Sequence, residues 1–173
     1  MEKTLRVINQ MQSDGILKKY AVAGGIAAIF YVEPFATFDL DIFVVLPEEN
    51  NILVSLSPIY EWLKEKGYKP GKEYIIIEDI PVQFIPAYNE LVKEAVINAL
   101  ARNYKKTPVF VLQKEYLLAI MLQTNRPKDI ARMIKFFDET EVSDNLLKKI
   151  LVKHNLENAF EEFKRKYDIS EKH

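Results

Sequence analysis

Two carboxylates stand two residues apart in Thr37-Phe38-Asp39-Leu40-Asp41-Ile42-Phe43-Val44-Val45, a stretch otherwise composed like a buried strand. A strand projects alternate side chains to one face, so this spacing aims Asp39 and Asp41 in the same direction. Like charges held that close in an apolar setting repel and are poorly solvated. A cation or a hydrogen-bond network has to compensate them, and a divalent metal does so most economically. Upstream, Gly24-Gly25 closes the apolar run Tyr20-Ala21-Val22-Ala23 and opens the helical run Ile26 to Val32. Together the acids and the glycine doublet read as a site for a metal and a phosphate. The plainer alternative is a pair of solvated acids at a strand end beside an ordinary strand-to-helix turn.

The elements that must position these residues follow from periodicity. Leu5, Ile8 and Met11 fall at helical spacing over residues 3 to 13, and Ser13-Asp14-Gly15 breaks the pattern. A strand over 19 to 23, a helix from Gly25 to about Val32 and a strand over 38 to 46 form a strand, helix, strand unit. After the turn cluster Pro47-Glu48-Glu49-Asn50, Leu53, Leu56, Ile59, Tyr60 and Leu63 recur at helical spacing until Gly67. Tyr74-Ile75-Ile76-Ile77 and Val82-Gln83-Phe84-Ile85 predict a hairpin joined through Glu78-Asp79-Ile80-Pro81. Leu91 to Ala101 reads as a helix and Pro108 to Leu112 as a last short strand. From Gln113 onward the pattern is helical throughout: Tyr116 to Leu122, Pro127 to Phe137, Ser143 to Lys153, and Leu156 to Tyr167. Pro127 suits a first helical turn, and Ser143 suits a cap. The expected architecture is α/β: a small mixed sheet flanked by helices over 1–112, and a C-terminal helical region over 113–173 packed on that core.

Composition bounds the function. The 173 residues suffice for one compact domain with a real core. With 49% hydrophobic and 28% charged residues the chain is neither disordered nor, lacking an apolar run near 20 residues, membrane-spanning. Basic residues number 24 against 25 acidic, a net charge of −1, which argues against a general electrostatic binder of nucleic acid. The short clusters Lys18-Lys19, Lys105-Lys106, Lys148-Lys149 and Lys164-Arg165-Lys166 read as solvated faces. There is no cysteine, hence no disulfide or thiolate site, and Met1 to Arg6 lacks a secretory apolar core. The cytoplasm is the expected compartment. His154 and His173 carry no partner motif, and Trp62, Tyr60 and Phe136-Phe137 read as core aromatics.

Taken as a set, Gly24-Gly25, Thr37-x-Asp39-x-Asp41, Pro81-Val82-Gln83-Phe84-Ile85-Pro86 and Arg126-Pro127-Lys128-Asp129-Ile130-Ala131-Arg132 resemble the DNA polymerase β-like nucleotidyltransferases. The resemblance runs from about residue 20 to 137. It is nearest to small bacterial and archaeal members related to the toxins of abortive-infection systems. It implies a nucleotidyltransferase core in which Gly24 and Gly25 let backbone amides approach a nucleoside triphosphate. It also implies that Asp39 and Asp41 hold Mg²⁺ or Mn²⁺, while a third carboxylate on a neighbouring strand completes a second metal site. Acceptors in that superfamily imply RNA, protein or small-molecule hydroxyls here, with transfer RNA first and a cognate antitoxin as a partner.

The chain departs from that pattern at the third acid, where Gln83 stands. A glutamine is no base, and it removes one negative charge. Three consequences stay open: one metal in place of two, replacement by Glu78 or Asp79, or lost catalysis. Phe35 and Met121 occupy places where related proteins carry arginine and lysine, leaving Lys128, with Arg126 and Arg132, as phosphate-binding candidates. Lys128, Arg132 and Lys135 share a helix face, and Asp129 would orient one of these cations or cap the helix. Thr37 reads equally as a phosphate ligand or as a cap at the start of the strand. Two functions compete: transfer of a nucleoside monophosphate to a hydroxyl, and a decayed module of the same fold that binds nucleotide or a protein.

Overall fold

A computed structural model describes residues 1–37, 39–47, 55–69, 71 and 73–169. The chain forms two compact units: Met1–Ala27 with Ala36–Leu112, and Ala28–Phe35 with the residues from Gln113 onward. The first unit carries a six-stranded mixed sheet. Its strands are β1 (Lys19–Val22), β2 (Leu40–Val45), β3 (Ile75–Ile77), β4 (Ile80–Pro86), β5 (Leu100–Tyr104) and β6 (Thr107–Val111), in the order β3-β4-β2-β1-β6-β5. β2 runs antiparallel to β1 and parallel to β4.

Alternation gives the central strands two unlike faces. Leu40, Ile42 and Val44 are all at most 1% exposed, and in register with them lie Val82 and Phe84 of β4 and Tyr20 and Val22 of β1. The helix α1 (Glu2–Ser13) covers this face with Leu5, Ile8 and Met11, and Tyr20 Oη donates to Asn9 Oδ1 across 2.5 Å. Thr4 Oγ1 adds a bond to the Ile77 carbonyl at 3.1 Å. The opposite face carries Lys19, Ala21, Asp41, Phe43 and Gln83. There α4 (Glu90–Ile97) packs on β1 and β2 at the end of the sheet near Lys19, whose ammonium donates to the Ile97 carbonyl at 3.3 Å. Phe43 meets the ring of Tyr88 edge-on just before α4. Asp41 and Gln83, toward the other end of the same face, are half-buried.

Several boundaries move from their sequence expectation. The helix after the glycine doublet, α2 (Gly24–Ala28), is short, ending four residues before Val32. β2 begins at Leu40, so Asp39 directly precedes it; Phe38 lies outside the described residues, as do Glu48 to Asn50, Leu53 and His173. The helix reaching toward Gly67 is α3 (Ser57–Glu65). The hairpin turn is only Glu78-Asp79, both at positive φ (50° and 66°), the two-residue geometry that matches strand twist. The largest correction is β5. The expected helix over Leu91 to Ala101 stops at Ile97, and Leu100-Ala101 begin a strand paired to β6, because Asn98 caps the helix and Arg102 to Thr107 form an antiparallel hairpin. Trp62 is half-buried, not core, and donates to Asp14 at 3.0 Å.

The second unit is helical: α5 (Lys114–Thr124), α6 (Pro127–Glu139), α7 (Asp144–Lys153) and α8 (Glu157–Tyr167). α5 is buried from Glu115 through Leu122 and packs against the other three, as a helix apolar on all sides must. Ser143 precedes α7 without a side-chain cap bond; its amide instead donates to the buried Glu115 carboxylate at 2.9 Å. His154 closes α7 as its C-cap residue. No helix among the described residues is long and apolar enough to cross a membrane.

Burial of Tyr20 has a pH consequence. Desolvation pushes its hydroxyl from 10 up to about 12, offset in part by the Phe110 amide. The fold favours the neutral, protonated form, so this contribution is whole below pH 10 and is lost as pH rises toward 12. Urea unfolding between pH 9 and 12 should show stability falling more steeply in the wild type than in Tyr20→Phe, by about one proton in slope; parallel curves would contradict the assignment.

Candidate functional site

Three residues meet at one end of the sheet because three backbone connections force them together. β1 and β2 are in antiparallel register from Lys19↔Val45 to Val22↔Ile42, and the Ala23 amide continues the ladder by donating to the Asp41 carbonyl at 2.9 Å. Gly24, the next residue, turns the chain into α2 with φ +57°. A side chain there would collide with Asp41: an added Cβ would overlap its Oδ2 and stand 2.9 Å from its Cγ. The Asp41 carboxylate therefore occupies the space left by the missing Cβ. Gln83 is the direct parallel partner of Asp41 on β4. Residues so paired project to the same side of the sheet, on strands about 4.8 Å apart.

Asp39 is exposed directly in front of β2, and Gly25 is buried in the first turn of α2. Thr37 is half-buried in the loop ahead of β2. Gln83 is also half-buried, and neither its amide nor the Asp39 carboxylate has a hydrogen-bond partner among the described residues. The structure thus brings Asp41, Gln83 and the turn at Gly24 to one end of the sheet, with Asp39 two residues ahead of Asp41 in the chain.

The alternative acids are elsewhere. Glu78 accepts from Tyr68 Oη at 2.9 Å and faces Lys3 at 4.0 Å, and the Tyr68 hydroxyl is pushed up by its own burial and by that carboxylate. Glu78 and Asp79 form the β3–β4 turn, four to five residues from Gln83, or roughly 13–16 Å along the strand. Neither reaches the place beside Asp41 that Gln83 fills. Among the described residues no group of three or more His, Cys, Asp or Glu side chains is arranged to hold a metal.

Arg126, Lys128 and Arg132 belong to the second unit, where a buried acid organises two of them. Asp129, 1% exposed, accepts from Thr124 Oγ1 at 2.8 Å and from Arg126 Nε and Nη2 at 2.5 and 3.2 Å, with Arg132 Nη1 3.7 Å away. The Arg132 guanidinium also lies 5.1 Å from the centre of the Phe35 ring. Lys128 is exposed in the first turn of α6, whereas Lys135 pairs with Glu139 at 2.7 Å. Met121 is a core residue of α5, 5% exposed. Thr124 escaped the sequence reading; a hydroxyl just before the Arg126-Pro127 helix start was the available signal.

The contact between Gly24 and Asp41 is measurable as a coupling. Gly24→Ala should cost about 3 kcal/mol in the wild type, from a left-handed alanine plus the collision with the carboxylate. In an Asp41→Ala background only the backbone cost of about 1 kcal/mol should remain. Denaturant unfolding of the four proteins measures the difference; equal costs in both backgrounds would show that the two residues do not touch.

No protein-family model matches the chain, and no curated protein matches it by sequence. Solved structures do match in shape. An antigenic nucleotidyltransferase-like protein from Paracoccidioides brasiliensis is similar over 92% of this chain and 92% of its own, with TM-score 0.53 at 13% identity. The solution structure of the antibiotic-resistance factor ANT(2'')-Ia is similar over 96% of this chain and 100% of its own, with TM-score 0.52 at 14% identity. With its mixed sheet, its glycine turn against the β2 acid and these two full-length likenesses, the chain has a nucleotidyltransferase-like fold.

Proposed function

We propose that the chain is a metal-dependent nucleotidyltransferase that moves a nucleoside monophosphate from a nucleoside triphosphate to an acceptor hydroxyl. The observation that carries this reading is the juxtaposition of Gly24, Asp41 and Gln83 at one end of the sheet. The fold, shared with nucleotidyltransferase-like proteins, supports it.

The residues fit a divalent cation on the chemistry of the donor set, two carboxylates and an amide oxygen, with Gln83 in register beside Asp41. Asp39 and Asp41 would hold Mg²⁺ or Mn²⁺, which when bound neutralises triphosphate oxygens and so favours departure of pyrophosphate. As the resemblance implies, backbone amides at Gly24 and Gly25 would approach a phosphate, and Thr37 would offer a hydroxyl to it. Gln83 orients polar groups beside Asp41 but accepts no proton at neutral pH. In the transfer, the acceptor oxygen bonds to the α-phosphorus, the bond from that phosphorus to its bridging oxygen breaks, and pyrophosphate leaves with the electron pair. The hydroxyl proton passes to water. In the second unit Arg126, Lys128 and Arg132 carry charge suited to phosphate, and Asp129 fixes the two guanidinium groups. The acceptor is an RNA, protein or small-molecule hydroxyl; the sequence resemblance puts transfer RNA first and adds a cognate antitoxin as partner and the cytoplasm as compartment.

Gln83 in register with Asp41 also favours a second reading, a module that binds nucleotide without transferring it. Transfer assays with Mg²⁺, each nucleoside triphosphate radiolabelled at the α-phosphate, and total RNA or protein separate the two. The transferase reading expects labelled acceptor from the wild type and a loss of more than about 100-fold in Asp41→Asn, since even outer-shell partners of a metal cost 10–100-fold. Nucleotide binding without labelling, with label appearing only in Gln83→Glu, would establish the module. Neither binding nor labelling would sink both.

A further inference from the structure

We propose that the outer edge of β5 docks an extended acidic segment of a partner protein, which pairs with it as an added strand of the sheet.

β5 ends the strand order, so one of its sides faces no neighbouring strand. Its ladder with β6 runs from Leu100↔Val111 to Tyr104↔Thr107 around the turn Lys105-Lys106. Hydrogen-bonded and non-bonded pairs alternate outward from such a turn. Tyr104, Arg102 and Leu100 therefore direct their N–H and C=O groups to β6, while Asn103 and Ala101 direct theirs away from the sheet. Pro108, opposite Asn103, has no N–H to give and fits that phase. Ala101, Arg102 and Asn103 are all exposed. Among the described residues the one bond to these outward groups comes from within the strand, where Arg102 Nη1 donates to the Ala101 carbonyl at 3.4 Å. The opposite edge is closed: Ile75 and Ile77 of β3 are wholly buried, and Thr4 bonds the Ile77 carbonyl.

Charge selects the occupant. Arg102 stands in β5, Lys105 and Lys106 form its turn, and Arg6 joins them through Thr107, to which its Nε donates at 3.4 Å. Glu2 is the acid bonded into this group, 2.9 Å from Arg6 and 3.2 Å from Thr107. Four cations against this acid leave the edge positive. A second copy laid antiparallel about Arg102 would set that residue against its own counterpart, like charges directly opposite. An extended segment with acids at alternate positions instead pairs its main chain with Ala101 and Asn103 and sets carboxylates beside Arg102 and the turn lysines.

The probe is a short fluorescein-labelled peptide alternating glutamate and valine, with a lysine and valine peptide as control, titrated into the intact chain and followed by fluorescence anisotropy and amide hydrogen exchange. The glutamate peptide should bind, more weakly as salt rises, and should slow exchange at the Ala101 and Asn103 amides. Asn103→Pro removes an outward N–H without touching the ladder to β6 and should abolish that binding, and Arg102→Glu should weaken it by about 10-fold. No binding, equal binding of the lysine peptide, or binding that leaves both amides exchanging as before would overturn the proposal. So would protection of the two amides in the free protein that grows with its concentration, the mark of self-pairing. Should Asn103→Pro fail to fold, Arg102→Glu and the exchange of the wild type still decide.

Discussion

The absence of a side chain at residue 24 is the constraint on which the first unit depends. The chain leaves β1 with φ +57° at Gly24, and the Asp41 carboxylate fills the volume that any other residue would claim. That fit requires the register of β1 and β2 to be exact to the residue. A slip by one would carry Asp41 to the face where Leu40, Ile42 and Val44 are now buried, and would bring an apolar side chain to Gly24. The ladder and the buried face hold the register, so the core on one side of the sheet positions the acid on the other.

The same sheet explains why a polar group survives there. α4 packs on the Asp41 face near Lys19 and Phe43. Asp41 and Gln83 are half-buried and Asp39 is exposed, so none of the three is stranded in a core. In the second unit the solution is different. Asp129 is fully buried and survives because Thr124, Arg126 and Arg132 surround it, an arrangement in which removing the acid would leave guanidinium groups without their counter-charge.

Much of this was legible in the sequence. The apolar run from Leu40 to Val45 and the helical spacing of Leu5, Ile8 and Met11 predict elements that the structure contains, because both patterns record burial. The Gly24-Gly25 doublet marks a real turn, although only Gly24 is described in contact with Asp41. β5 was not legible: Leu100 to Tyr104 is an edge strand with three exposed residues in a row, so it has no alternation to read, and the stretch continues the composition of α4. Nor could spacing reveal that Asp129 faces two arginines, since the same pattern describes an ordinary solvated helix face until burial is known.

Gln83 joins these threads, since its register places a neutral amide directly beside Asp41. The central claim, that Asp39, Asp41 and the bare backbone at Gly24 together grip an ion and a polyphosphate, is tested most directly by a crystal structure with Mn²⁺ and a non-hydrolysable nucleoside triphosphate. The account predicts anomalous density between the two aspartates with the triphosphate against Gly24. Density for nucleotide elsewhere on the chain, with Asp41 turned away from any ion, would contradict it.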